Sequence, residues 1–333
     1  MSYIIAIGLY LVLLMVYGLV IAHKKVKTTD DMVTGGHKIP FIILVGSLLA
    51  TWCGGGGITG SAGVVYSGGP WVGVLTFAAP PIGIILLYFI AGKVRKSNKV
   101  TVPEIMGARY GTAASIISAL CVMLAYVGVL ATQLKAAANI LVLLCHSSGI
   151  EISHGVALAI CTVIIVIITV GGGLVSVAYS DAVSALIMIG GFFLAIPILM
   201  RAASAQGAVL PAEKTTFTGG MSGWTLLGYF LPSLALMLGD QNMLQRFASA
   251  KNSDEAKKSN IGMFIGEIMV IASIVAVATQ AAKLYPTLDT PSNVIFQVAV
   301  DYHPWYSARW LCAPAWRSLS LRRTAICSPP RPI

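Results

Sequence analysis

Long apolar segments separated by short polar loops dominate this chain. Only 10% of its residues are charged and 57% are hydrophobic, whereas about a quarter of the residues in a soluble domain are charged. About 20 apolar residues in a helix cross the hydrocarbon core of a bilayer. The sequence therefore predicts an all-α polytopic membrane protein. Its eight predicted spans are residues 3–22, 41–66, 71–92, 113–145, 154–170, 175–200, 224–247 and 261–284.

Four consecutive glycines, Gly54 to Gly57, interrupt the second predicted span. Each glycine costs about 1 kcal/mol in a helix relative to alanine, so the run predicts an unwound or closely packed helix. Unwound backbone at membrane depth is tolerated where it lines a cavity, and its carbonyls can bind a cation there. Close packing between helices through small residues explains the run equally well.

The seventh predicted span is also interrupted, by Pro232 and by the residues 239–242 (GDQN). The charge pattern makes the second and seventh spans cross in opposite directions. Two interrupted helices in corresponding positions of two halves indicate a transporter site at an inverted-repeat interface.

Lysine and arginine cluster in alternate loops. The basic loops are 23–40, 93–111 and 249–259, and they alternate with 67–70, 146–153 and 201–223. The positive-inside rule then predicts an extracellular N-terminus and cytoplasmic basic loops in the plasma (inner) membrane. We therefore interpret the net charge of +10 as a marker of the cytoplasmic side of the membrane, and we predict no nucleic-acid partner.

Enzymatic signatures are missing from the sequence. The six cysteines show no paired metal spacing, and no nucleophile elbow or phosphate loop occurs in a strand–helix setting. We therefore predict neither an enzyme nor an organic cofactor. A channel is a further alternative, which saturable, sodium-dependent flux would exclude.

Three segments resemble motifs of the sodium:solute symporters, the sodium-coupled carriers of sugars, proline, pantothenate and choline. They are 101–111 (TVPEIMGARYG), 171–181 (GGGLVSVAYSD) and 241–251 (QNMLQRFASAK). The resemblance covers roughly residues 3–300. It implies a LeuT-like fold with one extra N-terminal helix, and uptake of a small organic solute with sodium as the coupling ion. A membrane sensor that binds solute without transport is the alternative.

The resemblance also implies sodium-binding residues. Ala50 and Cys53 would offer backbone carbonyls, because a hard cation prefers oxygen to a thiol, and Asp181 is tied to sodium handling. The alternatives are an ordinary helix at residues 50–53 and an N-cap role for Asp181 at the start of the sixth span.

The predicted solute-binding residues lie on the two interrupted spans. On the second span, Trp52 either lines the cavity or lies at the membrane interface, and Gly54, Gly55, Gly56 and Gly57 let solute approach the backbone. On the seventh span they are Ser233, Asp240 and Gln241, with a salt bridge to another helix as the alternative for Asp240.

Residues 50–56 are most similar to the choline-transporter branch. A tryptophan face attracts a quaternary ammonium, but residues 239–242 lack the second tryptophan of that branch. The aspartate there could complement a cationic solute or bind sodium.

A few further polar residues lie in or next to spans. Gln133, Lys135 and Glu267 each have either a functional role or a structural one, such as pairing with a buried charge or snorkelling. His154 is predicted to cap the fifth span.

The family pattern stops near Trp305, which leaves the second repeat incomplete. We predict a symporter domain over residues 1–306 and an aberrant tail over 307–333. The tail is rich in arginine and proline and has no acidic residue, which suggests a frameshifted end and a symporter that is inactive as written. Resequencing the gene tests this hypothesis, because an intact frame with the same tail would contradict it.

Overall fold

The computed structural model describes residues 2–25, 27–28, 35–37, 39–147 and 149–302. Within these residues, five helices are long and apolar enough to cross a membrane, and a bent pair of shorter helices forms a sixth span. This confirms the all-α polytopic architecture. The helices are α1 (Ser2–Lys25), α2 (Phe41–Trp52), α3 (Gly55–Gly68), α4 (Pro70–Thr76), α5 (Ala79–Ser97), α6 (Val102–Tyr110), α7 (Thr112–Ser147), α8 (His154–Ala205), α9 (Gly223–Gly239), α10 (Gln241–Ala248), α11 (Ser253–Leu284) and α12 (Val294–Asp301).

The fifth and sixth predicted spans form one continuous helix, α8, so the prediction of two spans was wrong. Glycine lowers helix propensity but keeps its N–H, and the only proline inside α8 is Pro197. The three glycines at 171–173 therefore weaken the helix without interrupting it. At about 1.5 Å per residue, α8 is longer than a bilayer core of about 30 Å is thick. Its Leu174–Ala205 part is long enough to cross on its own.

Prolines in the third and seventh predicted spans do not interrupt the helices that contain them. The third predicted span divides between α4 and α5 at residues 77–78, and Pro80 then lies in the first turn of α5. A proline is tolerated there because the first N–H groups of a helix have no intrahelical acceptor. Pro232 lies inside α9 without ending it, and that helix ends at Gly239.

Small residues allow α2 to lie close to its neighbours. A Cβ added at Gly46 would lie 2.7 Å from the Cα of Ala182 in α8. On the opposite helix, Gly262 and Gly266 of α11 give similar room to Val45 and Leu49. This close approach of backbones is the usual way membrane helices pack.

Two buried apolar clusters flank the junction between α2 and α3. The first surrounds α2 with side chains of α5, α10 and α11, including Leu48, Leu87, Phe247 and Met263. The second surrounds α3 with side chains of α8, α11 and α12, including Val65, Leu199, Val277 and Val298. Because α11 contributes to both clusters, it supports the two halves of the broken span and fixes the junction between them.

The predicted tail, residues 307–333, lies outside the described residues, and so do residues 29–34 of the loop before α2.

Candidate functional site

The second span breaks at the predicted position. The α2 and α3 axes meet at 57°, and Cys53 and Gly54 form the junction with non-helical backbone angles. The N–H of Cys53 donates to the carbonyl of Leu49, and the next junction bond runs from Ile58 to the carbonyl of Gly54. A helix end leaves its last carbonyls without helical donors, so the oxygens of residues 50–53 are the ones that suit a cation.

A cavity of about 330 Å³ lies beside this junction. Trp52, Gly56, Gly57 and Cys53 line it from the junction side. The walls also carry the aromatic rings of Phe77 and Tyr126 and the carboxyl groups of Asp240 and Glu267, with no lysine, arginine or histidine among the lining residues described. The ionisable groups that are typically charged at neutral pH are therefore all acidic, and much of the remaining lining is aliphatic.

Gln133 of α7 lies against two of the junction glycines. Its Oε1 accepts a hydrogen bond of 2.9 Å from the N–H of Gly56. A Cβ added at Gly54 would lie 2.2 Å from the Nε2 of Gln133. Gly54 therefore packs closely against Gln133, whereas Gly56 and Gly57 line the cavity. A role of the glycine run in solute binding stays a prediction.

Glu267 of α11 lies in the cavity wall against the α2–α3 junction. It is 3% exposed, its Oε2 accepts from the Cys53 thiol at 3.3 Å, and the Trp52 side chain lies near it. Both of these neighbours are neutral. In the described part of the chain, the recorded ion pair joins Arg246 and Asp181. No protein cation is therefore recorded against the Glu267 carboxyl group there.

The second break, between α9 and α10, opens on the same cavity. Asp240 caps α10, since its Oδ1 accepts from the N–H of Met243 at 2.9 Å. The Tyr126 hydroxyl donates to the same oxygen at 3.2 Å and accepts from the N–H of Asn242 at 3.0 Å. Ser233 also lines the cavity, although its hydroxyl donates to the carbonyl of Tyr229.

Gln241 points away from the cavity, in contrast to its neighbour. Its Oε1 accepts from the N–H of Val102 at 2.6 Å, and its Nε2 donates to the carbonyl of Val100 at 3.2 Å. The amide therefore holds the start of α6 against α10. In the described structure it serves as a link between helices, while Asp240 faces the solute cavity.

Ala50 and Gly55 lie on the other side of the junction. Together with Cys53 they line a second cavity of about 790 Å³, whose other walls are mainly apolar residues of α8 and α12. The junction is thus reached from two sides, and the predicted sodium carbonyls lie between them.

Asp181 belongs to a separate polar network between α2, α8 and α10. Its Oδ2 accepts from Arg246 Nη2 at 2.9 Å and from Ser47 Oγ at 3.0 Å. Ser47 Oγ in turn accepts from Arg246 Nε at 2.7 Å. Arg246 is buried, with a side chain 5% exposed, so the ion pair supplies its counter-charge.

The structure corrects the alternative roles suggested for the two aspartates. Asp181 lies within the continuous helix α8, so it cannot be the N-cap of that helix. It instead forms the interhelical ion pair with Arg246. Asp240, for which the salt bridge was suggested, is the N-cap. His154 does not cap α8 either, because Ser153 does so, and the His154 ring bonds Asn139 instead.

Tyr126 was missed by the sequence reasoning, and Gln133 and Glu267 were noted without being placed in the site. A signal for the first two was available. Tyr126 and Gln133 are seven residues apart, so they lie on one face of α7, and polar groups repeated on one face of an apolar span indicate a lined cavity.

Discontinuous helices that open on a central cavity define the class of secondary transporters. A family model confirms this class. The sodium:solute symporter family model matches residues 32–299, and the chain belongs to that family, which consists of transporters and not enzymes.

Curated relatives include the high-affinity choline transporters of Torpedo marmorata and of human. They are 27% and 26% identical to this chain over 295 and 271 residues. These matches cover 81% and 76% of this chain but only 49% and 45% of the relatives. The chain thus spans about half the length of these relatives.

A solved structure supports the fold. A substrate-bound, outward-open structure of a Na+-coupled sialic acid symporter superposes with a TM-score of 0.72 at 17% identity. The match covers 90% of this chain and 65% of that chain. The expected LeuT-like fold is confirmed.

Proposed function

We propose that the protein is a sodium-coupled symporter of a small organic solute that works by alternating access. The observation that carries the proposal is the convergence of both broken spans on one cavity. Trp52 and Gly56 approach it from the α2–α3 junction, and Asp240 approaches it from the α9–α10 junction. A rearrangement of either junction would therefore change the solute site directly.

We assign sodium binding to the carbonyls of Ala50 and Cys53. These oxygens lie at the end of α2, where the helical bonds stop and the negative end of the helix dipole favours a cation. Sodium at the junction would fix the angle between α2 and α3, and thereby raise solute affinity by positive linkage. Asp181 is a second candidate, although its Oδ2 already accepts from Arg246 and Ser47.

We assign solute binding to the cavity that Trp52, Gly56, Gly57, Ser233 and Asp240 line. The absence of a cationic side chain among its described walls favours a positively charged solute. The Trp52 ring can attract such a charge by about 0.5–2 kcal/mol. Choline, named in the relatives, is the first compound of this class to test.

Ligand-induced thermal stabilisation of the purified protein tests the coupling. Choline, proline, pantothenate and a sugar are each titrated in sodium and, as the matched control, in potassium. A coupled site gives a stabilisation by one solute that needs sodium. The same stabilisation in both salts would contradict the proposed coupling.

Uptake into proteoliposomes separates a transporter from a sensor. A symporter accumulates the solute against its gradient when sodium is present outside and stops when the sodium gradient collapses. Sodium-dependent binding with no accumulation, from protein that is correctly inserted, would support the sensor alternative.

We further propose that the N-terminus is extracellular and that the basic loops 23–40 and 93–111 are cytoplasmic, on the basis of their charge. The third basic loop, 249–259, is not included, because it follows α8, whose continuity removes one of the predicted crossings. Single cysteines introduced at Lys99 and Ile150, on a background without the native cysteines, test this with a membrane-impermeant thiol reagent. Labelling of Ile150 from outside, and of Lys99 only after the membrane is permeabilised, supports the proposal. The reverse pattern would contradict it.

A further inference from the structure

Glu267 is a buried carboxyl group whose position nothing yet described explains. It lines the cavity, is 3% exposed, and lies in the middle of α11. An ionised carboxylate inside a membrane span is costly unless it is paired. Its recorded hydrogen-bond partner is the Cys53 thiol, which is a weak donor, and the Trp52 side chain lies near it. Neither neighbour brings a positive charge.

Asp240 does not have the same need. It caps α10, whose N-terminus carries a partial positive charge, and it accepts from the Tyr126 hydroxyl. The buried guanidinium of Arg246 lies six residues further along the chain, in α10. Asp240 is therefore stabilised by the protein itself, whereas Glu267 is left to be neutralised from the cavity.

We propose that Glu267 binds the cationic nitrogen of the solute, and that this nitrogen carries hydrogens. The inference rests on the proposed solute cavity and narrows its substrate class to protonated primary or secondary amines. A carboxylate has about four acceptor positions, and the recorded hydrogen bond from Cys53 uses one of those of Glu267. The rest can accept charge-assisted N–H bonds, which are short and strong.

A quaternary ammonium fits this arrangement poorly. It has no N–H to donate, and its methyl groups hold the charge further from the carboxylate oxygens, which weakens the Coulomb attraction. Quaternary ammonium groups are better matched by cages of aromatic faces. Here the Trp52 side chain lies near Glu267, and the Tyr126 hydroxyl donates to Asp240. Two aromatic residues of this wall are thus accompanied by a carboxyl group.

Successive N-methylation of one solute tests the proposal. Ethanolamine, N-methylethanolamine, N,N-dimethylethanolamine and choline are cations at neutral pH that differ in the number of N–H donors. Dissociation constants come from thermal stabilisation of the full-length protein in sodium. Because a hydrogen bond to a charged group contributes more than a neutral one, we expect choline to bind at least about tenfold more weakly than ethanolamine.

The variant Glu267→Gln keeps the side-chain shape and an acceptor for Cys53. We expect it to reduce the ethanolamine-to-choline ratio to about threefold or less. Asp289→Asn, which changes an exposed carboxylate in the loop after α11, is the matched control and should keep the full ratio. The unliganded melting temperature of each variant confirms that it is folded.

Any of four results would overturn the inference. The first is choline binding as tightly as ethanolamine, and the second is an unchanged ratio in Glu267→Gln. The third is loss of the stabilisation by sodium alone in Glu267→Gln, which would assign the carboxylate to sodium. The inference also fails if none of the four amines binds. The proposed function is then tested separately, by whether proline, pantothenate or a sugar raises the melting temperature only in sodium.

Discussion

The ion pair between Asp181 and Arg246 yields a quantitative prediction. Asp181→Asn removes the negative charge but keeps the size of the side chain and one acceptor oxygen. The guanidinium of Arg246, whose side chain is 5% exposed, then has only neutral acceptors, namely the Ser47 hydroxyl, the carbonyl of Asn242 and the amide oxygen retained at position 181. The cost comes mainly from this uncompensated buried charge.

Removing one partner of a buried ion pair costs about 3–5 kcal/mol. The Asp181 side chain is 24% exposed, so screening weakens the pair and the lower limit applies. We expect Asp181→Asn to lower the free energy of unfolding by about 3 kcal/mol. Reversible denaturation in mixed micelles, followed by circular dichroism, measures this quantity.

A double-mutant cycle identifies the cause. Arg246→Met removes the buried charge, so the double variant should lose at least about 1 kcal/mol less than the sum of the single losses. Asp289→Asn again serves as the control and should change stability by less than about 0.5 kcal/mol. Additive losses, or a loss below about 1 kcal/mol for Asp181→Asn, would refute the reasoning.

Two further predictions concern packing and the link to α6. Gly46→Ala should destabilise the protein by about 1–3 kcal/mol, because the added Cβ meets the backbone of Ala182. Gly60→Ala has open space and should stabilise α3 by up to about 1 kcal/mol. Equal effects of the two substitutions on the free energy of unfolding would contradict this prediction. Gln241→Ala removes the acceptor of the Val102 N–H, so hydrogen exchange at this N–H should become faster. Solute affinity should change by less than about threefold. A larger loss of affinity would instead place Gln241 in the solute site.

The spans and the two broken helices could be predicted from sequence because their signals are local. Apolar length defines a span, and the glycine run and the GDQN segment each lower helix stability where they occur. Continuity of α8 could not be predicted in the same way. The three glycines at 171–173 allow either a reversal or a weakened helix, and the residues around them do not distinguish the two outcomes.

The two aspartates show where local reasoning ends. Both stand in apolar surroundings at a position where a helix could begin, so an N-cap and an interhelical ion pair are equally consistent with each. The choice depends on residues far away in the chain. Arg246 lies 65 residues from Asp181, and Tyr126 lies 114 residues from Asp240. The members of each pair become neighbours only after α7, α8 and α10 have packed.

For Glu267 the decisive fact is also non-local. Its carboxylate faces Cys53, 214 residues away, and no cationic side chain is recorded against it in the described structure. A sequence shows that a charge lies in a membrane span, but the packed helices show whether the protein neutralises that charge or leaves it for a ligand.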